Sequence, residues 1–322
     1  MAKVLVTGGA GYIGSHMAAM LTKRGHEVVV LDSLITGYQD AVLNSKLIVA
    51  DLVNVQELED CFVNYKFDAV MHFAGFIQVG ESTKDPAKYY QNNVANGLNL
   101  LNAMKEFNVN KLIFSSSAAV YGEPLTTPID INHPKKPLNP YGRSKLIFEE
   151  ILQDYDQAYG LKSISLRYFN AAGADPGGLL GERHDPETHL IPLVLQAALG
   201  KRENIEVFGA DYPTKDGTCI RDYIHVSDLC EAHILTLDAL LEGKKSASYN
   251  LGNGEGYSVL EVINTARQIT GKEVKVVYGP KRAGDPAVLV ADAKVAMKEL
   301  GWRPQYPDLA TMIKHAWQWE CR

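Results

Sequence analysis

Short apolar runs alternate with longer amphipathic stretches through the first half of the chain. Six of these runs, at residues 3–7, 27–32, 46–51, 68–74, 111–117 and 163–170, are compact and end in small or polar residues. This pattern is typical of parallel strands that are covered on both faces. The stretches between them are long enough for crossover helices. The sequence therefore predicts an α/β fold with a doubly wound parallel sheet.

The rhythm becomes irregular after residue 170. Residues 170–189 are rich in glycine, proline and charge, which indicates a long ordered loop or a domain junction. We then expect a helix at LIPLVLQAALG, a strand at NIEVFG and a helix that Ser227 caps. A capping box from Ser258 to Glu261 opens a further helix, which ends at Gly271. We predict two domains, 1–170 and 171–322, the second a smaller mixed α/β domain, with some crossing of the chain between them.

Composition excludes several classes of protein. The 322 residues are 46% hydrophobic and 22% charged, as in a globular protein, and the net charge is −6. That charge disfavours nucleic acid or an anionic membrane as a partner. The start, MAKVLVTGGAGYIG, resembles neither a signal peptide nor a membrane span. The four cysteines are scattered without a C-x-x-C pair, so we expect reduced thiols in a cytoplasmic protein.

A glycine-rich segment, VTGGAGYIGSH, follows the first strand and opens a helix. It contains Gly9-x-Gly11-x-x-Gly14, and glycine there lets a pyrophosphate approach backbone N–H groups at a helix N-terminus. Asp32 ends the next strand, where a carboxylate accepts from both ribose hydroxyls of NAD and repels a 2′-phosphate. The pattern predicts a Rossmann-type NAD site, with a purely structural turn as the alternative. Asp51 either holds the adenine amino group or caps the following helix.

The segment NPYGRSK has two interpretations. In the first, Asn139 and Pro140 suit the start of a helix, and Tyr141 and Lys145 share a face only because helical spacing puts them there. Alternatively, the Lys145 ammonium favours the phenolate of Tyr141 and makes it a usable base. Which interpretation holds depends on what else the chain carries.

Three serines end the strand at 111–117. Strand side chains alternate, so Ser115 and Ser117 share one face and Ser116 lies on the other. Either the first two serve a site together or Ser116 acts alone. The glycine loop, the serines and the Tyr-x-x-x-Lys pair occur in one chain, and this conjunction favours chemistry over helical spacing.

On these motifs, and on VGES, YYQNNV, LRYFNAAGA, RDYIHVSDL and RAGDPAVLVAD, the whole chain resembles the extended short-chain dehydrogenase/reductase family and its UDP-hexose 4-epimerases. The resemblance implies an isomerase that interconverts UDP-glucose and UDP-galactose. Hydride would pass from C4 to tightly bound NAD and return to the other face after the 4-keto sugar turns. Tyr141 would be the acid/base at O4, Lys145 would lower its pKa and bind the nicotinamide ribose, and Ser117 would bind the reacting oxygen.

The resemblance also assigns binding residues. Those around NAD would be Gly8, Gly11, Tyr12, Ile13, Asp32, Asp51, Leu52, Phe73, Ala74, Gly75, Asn92, Ser115, Tyr141, Lys145 and Tyr168. Those around the UDP-sugar would be Ser117, Tyr141, Asn170, His189, Arg221, Tyr223, Arg282, Asp285 and Leu289.

Three of the implied positions depart from some family members. Ile77 stands where certain epimerases carry a cofactor-contacting lysine, so that contact is expected to be lost. His189 replaces an asparagine that touches the nucleotide, and either donates to phosphate or packs. Leu289 falls where pocket size separates plain from N-acetylated hexoses and leaves that tolerance open.

The family pairs the helices that begin near Asn92 and Tyr141 into a four-helix homodimer interface. We expect the same here, with Ile151, Leu152, Tyr155 and Tyr159 on the outer face.

Several other functions compete with this one. A 4,6-dehydratase is disfavoured because Ala118 and Ala119 follow Ser117 where the family carries Asp-Glu. A UDP-N-acetylglucosamine or UDP-glucuronate 4-epimerase, or a decarboxylase, remains open, as does a non-catalytic NAD-binding regulator. His184, Asp185 and His189 match no standard metal spacing, so we expect solvated loop residues and no metal.

Overall fold

The computed structural model describes residues 1–282 and 285–322. Its strands are β1 (Lys3–Thr7), β2 (Glu27–Asp32), β3 (Lys46–Val49), β4 (Ala69–His72), β5 (Lys111–Ser117), β6 (Lys162–Tyr168), β7 (Asn170–Ala172), β8 (Ile205–Phe208), β9 (Ile220–His225), β10 (Ala247–Leu251), β11 (Gly256–Ser258), β12 (Val276–Gly279) and β13 (Val288–Leu289). Its helices are α1 (Tyr12–Lys23), α2 (Val55–Asn64), α3 (Val79–Lys84), α4 (Pro86–Tyr90), α5 (Asn96–Glu106), α6 (Pro140–Tyr159), α7 (Leu190–Ala198), α8 (Val226–Leu241), α9 (Val259–Thr270), α10 (Lys294–Glu299) and α11 (Leu309–Glu320). A π-helix at Gln91–Ala95 joins α4 to α5.

The largest sheet has seven strands in the order β10-β6-β5-β4-β1-β2-β3. β1 pairs in parallel with β2 on one side and with β4 on the other, and the β2–β3 and β4–β5 pairs are also parallel. The strand order reverses between β1 and β4, which is the point where doubly wound sheets bind ligands. The predicted Rossmann-type α/β fold is confirmed.

Both faces of this sheet are buried. On one face, alternate strand residues such as Leu5, Val29 and Phe114 form an apolar cluster with α2, α5 and α6. The intervening residues, for example Val4 and Val30, are also fully buried, and α1 contacts β1 and β2. This double burial explains why the strands appear in the sequence as continuous apolar runs.

The chain divides into two compact units, each made of three stretches. The first comprises residues 1–122, 134–167 and 230–249, and the second 123–133, 168–229 and 250–322. The second unit contains the sheet β11-β9-β13, with β7 also paired to β9, and a parallel β8–β12 pair. Its core is an apolar cluster of α7, α9 and α11 with β8.

Local capping confirms two predictions and overturns a third. Asn139 Oδ1 accepts from the Gly142 N–H at 2.8 Å and opens α6, and the Ser258–Glu261 capping box opens α9. The prediction that Ser227 caps α8 is wrong: the helix begins at Val226, so Ser227 lies inside its first turn. The Ser227 N–H instead donates to His225 Nδ1 at 3.0 Å, so the histidine supplies the acceptor.

A buried ion pair ties α6 to the neighbouring strands. Arg167 donates from Nη2 to Glu149 at 2.6 Å and from Nη1 to the Tyr121 hydroxyl at 2.9 Å. Glu149 also accepts from Ser116 Oγ at 2.6 Å. All four residues are buried. Removing one partner of such a pair leaves an uncompensated charge in the core.

We expect Arg167→Met to lower the free energy of unfolding by about 3–5 kcal/mol, because the Glu149 carboxylate keeps its burial and loses its counter-charge. Urea denaturation followed by circular dichroism measures this. The control is Lys275→Met, which breaks the solvent-exposed pair with Glu203 and should change stability far less. Equal effects of the two variants would contradict the prediction.

Candidate functional site

The glycines of the loop between β1 and α1 differ in how closely other atoms surround them. A Cβ on Gly8, whose φ is +73°, would lie 2.5 Å from the Ala74 nitrogen, and one on Gly14 would lie 2.2 Å from the Gly8 oxygen. Chain packing therefore requires these two glycines. A Cβ on Gly11 would meet only the Gly8 oxygen, at 3.4 Å. The N-cap residue of α1 is Gly11, which has no side chain to cap the helix, so the backbone N–H groups of loop and helix form a cradle that fits a pyrophosphate.

Asp32 is held at the end of β2 by backbone donors. Its Oδ2 accepts from the Ala10 N–H at 2.9 Å and its Oδ1 from the Leu34 N–H at 2.8 Å. The side chain is buried. Each carboxylate oxygen has a second lone pair for a ribose hydroxyl, so the position fits the NAD role.

Asp51 lies in a turn beyond β3. Its Oδ1 accepts from the Val53 N–H at 2.9 Å, and its backbone oxygen accepts from the Asn54 N–H at 2.9 Å. Asn54 caps α2 by accepting from the Glu57 N–H. The interpretation of Asp51 as the helix cap is therefore wrong. The neighbouring Leu52 is buried.

The segment after β4 runs past the glycine loop. The N–H groups of Phe73 and Ala74 both donate to the Thr7 oxygen, at 2.9 and 3.1 Å. A Cβ placed on Gly75 would lie 3.5 Å from Lys145 Nζ. Phe73, Ala74 and Gly75, which are predicted to contact the cofactor, thus lie between the glycine loop and Lys145.

Asn93 organises this region, and the sequence analysis missed it. Its Oδ1 accepts from the Phe76 N–H at 2.9 Å and from Asn92 Nδ2 at 3.0 Å, and its Nδ2 donates to Ser144 Oγ at 3.1 Å. It therefore links the segment after β4 to α6. The two adjacent asparagines of YYQNNV were the available signal, but only Asn92 was chosen. The pair lies in the π-helix, a feature frequent at functional sites.

Ser117 and Tyr141 lie side by side. The Ser117 side chain hydrogen-bonds the Tyr141 phenol and accepts from the Ala119 N–H at 3.1 Å. The first turn of α6 presses on this loop, because a Cβ on Gly142 would lie 2.4 Å from the Ala119 oxygen. Close packing between α6 and the loop therefore sets the Ser117–Tyr141 contact.

Lys145 lies one helical turn after Tyr141. Its Nζ donates to the Ser115 backbone oxygen at 2.9 Å and lies 5.9 Å from the centroid of the Tyr141 ring. Ser116 lies on the opposite face and donates to Glu149. The sequence allowed either Ser115 and Ser117 together or Ser116 alone to serve the site. In the structure, Ser115 lies beside Lys145 and Ser117 lies beside Tyr141.

The pKa of Tyr141 differs from expectation. Burial raises it, and the hydrogen bond from Ser117 offsets this only in part. The expected lowering by Lys145 is not seen: the ammonium donates to the Ser115 carbonyl and lies 5.9 Å from the centroid of the Tyr141 ring. Burial also lowers the pKa of Lys145 to about 8.

Four of the predicted substrate residues share one face of the small sheet in the second unit. Asn170 on β7 is paired with Tyr223 on β9, and Leu289 on β13 is paired with Arg221 on β9. Paired residues and residues two apart on a strand point to the same face. The structure therefore brings Asn170, Arg221, Tyr223 and Leu289 together.

The remaining charged residues are arranged differently. Asp285 forms an ion pair with Arg221. Asp285, which is expected to bind the UDP-sugar, therefore also orients Arg221, which is expected to bind the diphosphate. The Arg282 guanidinium lies 3.8 Å from the centroid of the Phe208 ring. Residues 283 and 284 of the RAGDPAVLVAD motif lie outside the described residues.

His189 is the N-cap residue of α7 and belongs to a cluster. Glu182, His184, Glu187 and His189, here the Glu–His cluster, place one ligand atom each within 4.8 Å of one another. The two carboxylates raise the pKa of His184 to about 9 and that of His189 to about 10, against the effect of burial. The His189 side chain is 40% exposed and that of His184 is 18% exposed, so both histidines are partly solvated and also face carboxylates, and Asp185 is not in the cluster.

The other predicted residues have simpler settings. Tyr12 and Ile13 form the first turn of α1, Tyr168 ends β6, and Ile77 is 40% exposed. Cys61, Cys219 and Cys230 are buried free thiols, and Cys321 is an exposed one. None of the described helices is long and apolar enough to cross a bilayer.

Comparison with known proteins gives consistent relatives. Residues 4–252 match the model of the NAD dependent epimerase/dehydratase family. The chain is 51% identical to the UDP-glucose 4-epimerase of Halalkalibacterium halodurans, over 98% of this chain and 95% of that one. It is also similar to two solved structures.

The UDP-glucose 4-epimerase from Brucella ovis, in complex with NAD, is 48% identical to this chain with a TM-score of 0.96, and 98% of each chain is covered. The enzyme from Bifidobacterium longum, in complex with NAD+ and UDP, is 39% identical with a TM-score of 0.94, covering 99% of this chain and 98% of that one. The chain therefore belongs to the NAD dependent epimerase/dehydratase family, among its UDP-glucose 4-epimerases.

Proposed function

We propose that the protein interconverts UDP-glucose and UDP-galactose, with NAD held throughout the cycle. The observation that carries this is the buried Tyr141 phenol beside Ser117, which lowers its pKa against the effect of burial, with Lys145 one turn further along α6. The pair lies at the carboxyl edge of a sheet that also carries a pyrophosphate cradle and a buried Asp32. The names of the full-length relatives support the same activity.

The first unit would hold the cofactor. Gly8, Gly11, Tyr12 and Ile13 would line the pyrophosphate, with the α1 dipole favouring its charge. Asp32 would accept from the adenosine ribose, and Asp51 and Leu52 would contact the adenine. Phe73, Ala74, Gly75, Asn92, Ser115 and Lys145 would contact the remainder. The resemblance also assigns a cofactor contact to Tyr168 at the end of β6. When bound, NAD supplies a hydride acceptor that later returns the hydride to the sugar.

The protein's own groups would handle the proton. Tyr141 would take the proton from the C4 hydroxyl as the carbonyl forms, and Ser117 would hold the same oxygen. Lys145, still protonated, would keep the surroundings of the phenol positive. After the 4-keto sugar turns, Tyr141 would return the proton to the new hydroxyl, so that only the configuration at C4 changes.

The second unit would hold the nucleotide of the substrate. Arg221 and Arg282 offer forked donors to a diphosphate, and Asp285 orients the first of them. Asn170, Tyr223 and Leu289 share a face with Arg221 and would surround the sugar. His189 at the start of α7 would donate to phosphate. UDP-N-acetylhexosamines are the second candidate substrate, because Leu289 is of intermediate size.

We further propose a cytoplasmic homodimer. The unpaired thiols fit a reducing compartment. For the interface, the expected outer stripe needs correction, because Leu152 is buried in the core cluster. Tyr159 remains 56% exposed, and the Tyr155 hydroxyl donates to Asn102 Oδ1 at 2.8 Å, which joins the outer surfaces of α5 and α6.

Replacing Tyr141 with Phe should lower kcat by about 10²–10⁴-fold, because the proton loses its acceptor and donor. NAD should still co-purify, since the glycine loop is unchanged. The assay follows UDP-galactose conversion to UDP-glucose by chromatography. Tyr159→Phe is the matched control and should retain full activity. Normal turnover by the Tyr141 variant would instead support a non-catalytic or differently organised site.

The epimerase rate should fall as the pH rises through about 8, where Lys145 loses its proton. Below that pH the ammonium is present and the rate is sustained. In Lys145→Arg the maximum rate should be lower, but the alkaline limb should move upward because a guanidinium stays charged. Lys105→Arg serves as the control with an unchanged profile. A wild-type rate that stays flat to about pH 10 would contradict this role for Lys145.

Light scattering after size exclusion should give twice the mass of one chain. Tyr159→Arg places an unpaired charge on the proposed interface and should weaken dimerisation at least about tenfold. Val63→Arg on α2, where the native side chain is 64% exposed, should leave the mass unchanged. A monomeric wild-type protein would refute the homodimer.

A further inference from the structure

The Glu–His cluster brings one possible ligand atom from each of its four side chains within 4.8 Å of the others. Nδ1 of His184 lies 3.4 Å from Glu182 Oε1 and 3.3 Å from Glu187 Oε2. Nδ1 of His189 lies 2.9 Å from Glu182 Oε1 and 3.0 Å from Glu187 Oε1. Each imidazole nitrogen therefore faces both carboxylates, and the contacts close a ring of five atoms in which Glu187 contributes both carboxylate oxygens.

Hydrogen bonds alone account poorly for this ring. A single Nδ1–H points in one direction and donates well to only one carboxylate. Both distances at His184 also exceed the roughly 2.7–2.9 Å of a charge-assisted N–H···O bond. In a tetrahedral site with bonds of about 2.0–2.2 Å, neighbouring ligand atoms lie about 3.3–3.6 Å apart. The two His184 edges, 3.4 and 3.3 Å, match that spacing, and the two His189 edges, 2.9 and 3.0 Å, are a few tenths of an ångström shorter.

The surroundings hold the donors in place. Glu187 Oε1 accepts from the N–H groups of Thr188 and His189, at 2.7 and 2.8 Å. The Trp319 indole donates to the Glu182 backbone oxygen at 3.1 Å. Glu182 is 7% exposed and lines a small cavity together with Glu320. Outer contacts of this kind orient metal-binding side chains in known sites.

We propose that the Glu–His cluster binds a divalent transition metal, with Zn²⁺ as the best-matched ion. Two imidazoles disfavour Mg²⁺ and Ca²⁺, which take oxygen ligands. Four protein ligands complete a tetrahedron, so the site is structural. Binding releases the Nδ1 proton of each histidine to solvent. It fixes residues 182–189 at the start of α7 and leaves Nε2 of His189 protonated, as a donor for the substrate phosphate if the proposed function holds.

The first test measures metal in the whole protein. The wild-type chain is purified without added metal, stripped with dipicolinate and titrated with Zn²⁺ against a chromophoric chelator. We expect about one tightly bound Zn²⁺ per chain and a higher melting temperature on binding. His184→Gln and Glu187→Gln should each weaken Zn²⁺ affinity by more than about 100-fold, the upper range for loss of a mere outer-shell partner.

Two controls and a spectroscopic measurement complete the design. His26→Gln and Cys321→Ser should bind Zn²⁺ as the wild type does. Should the two cluster variants not fold, Zn K-edge absorption of the wild type still decides, with four N/O neighbours at about 2.0–2.1 Å expected. The proposal fails if wild-type protein does not compete for Zn²⁺, if folded cluster variants retain it, or if a sulfur neighbour appears. Metal content is read independently of turnover, so an inactive protein that holds Zn²⁺ would refute only the proposed function.

Discussion

The buried Glu149–Arg167 pair is the interaction on which the catalytic geometry depends. Glu149 follows Lys145 by four residues on α6, and Lys145 follows Tyr141 by four, so the three lie along one helical stripe. The acidic end of that stripe is fixed to β5 through Ser116 and to β6 through Arg167. The other end is fixed by the close contact of Gly142 with the loop after β5. Because both ends are held, the phenol and the ammonium sit at set positions against Ser117 and Ser115.

Much of the first unit was predictable because its determinants are local. The strands at 3–7, 27–32 and 111–117 were confirmed at both ends, since continuous burial on two faces leaves a clear apolar signal. The glycine loop and Asp32 were predictable because a ligand at a helix N-terminus demands particular residues at fixed offsets. The capping box at Ser258 has the same local character.

The features that sequence reasoning missed depend on contacts distant in the chain. Asn93 is important because it hydrogen-bonds both Phe76 and Ser144. The residues next to Asn93 in the sequence give no sign of these two distant partners. Leu152 turned out to face the core because of how α6 lies on the sheet. The raised pKa of Tyr141 follows from the burial of its phenol, which the sequence does not reveal. The Glu–His cluster escaped notice because the two glutamates were not considered together with the histidines, and spacing alone does not show that four side chains converge.

The buried ammonium of Lys145 also bears on how the protein matures. A buried ammonium that donates to the Ser115 carbonyl lowers the stability of the cofactor-free chain, as its lowered pKa indicates. A ribose offers that ammonium further oxygen acceptors, so filling the pocket removes part of the penalty. Folding and cofactor capture are then linked. In the cell, the pool of nicotinamide dinucleotide would act as a folding partner for newly made chains, and those that miss it would be the first to be degraded.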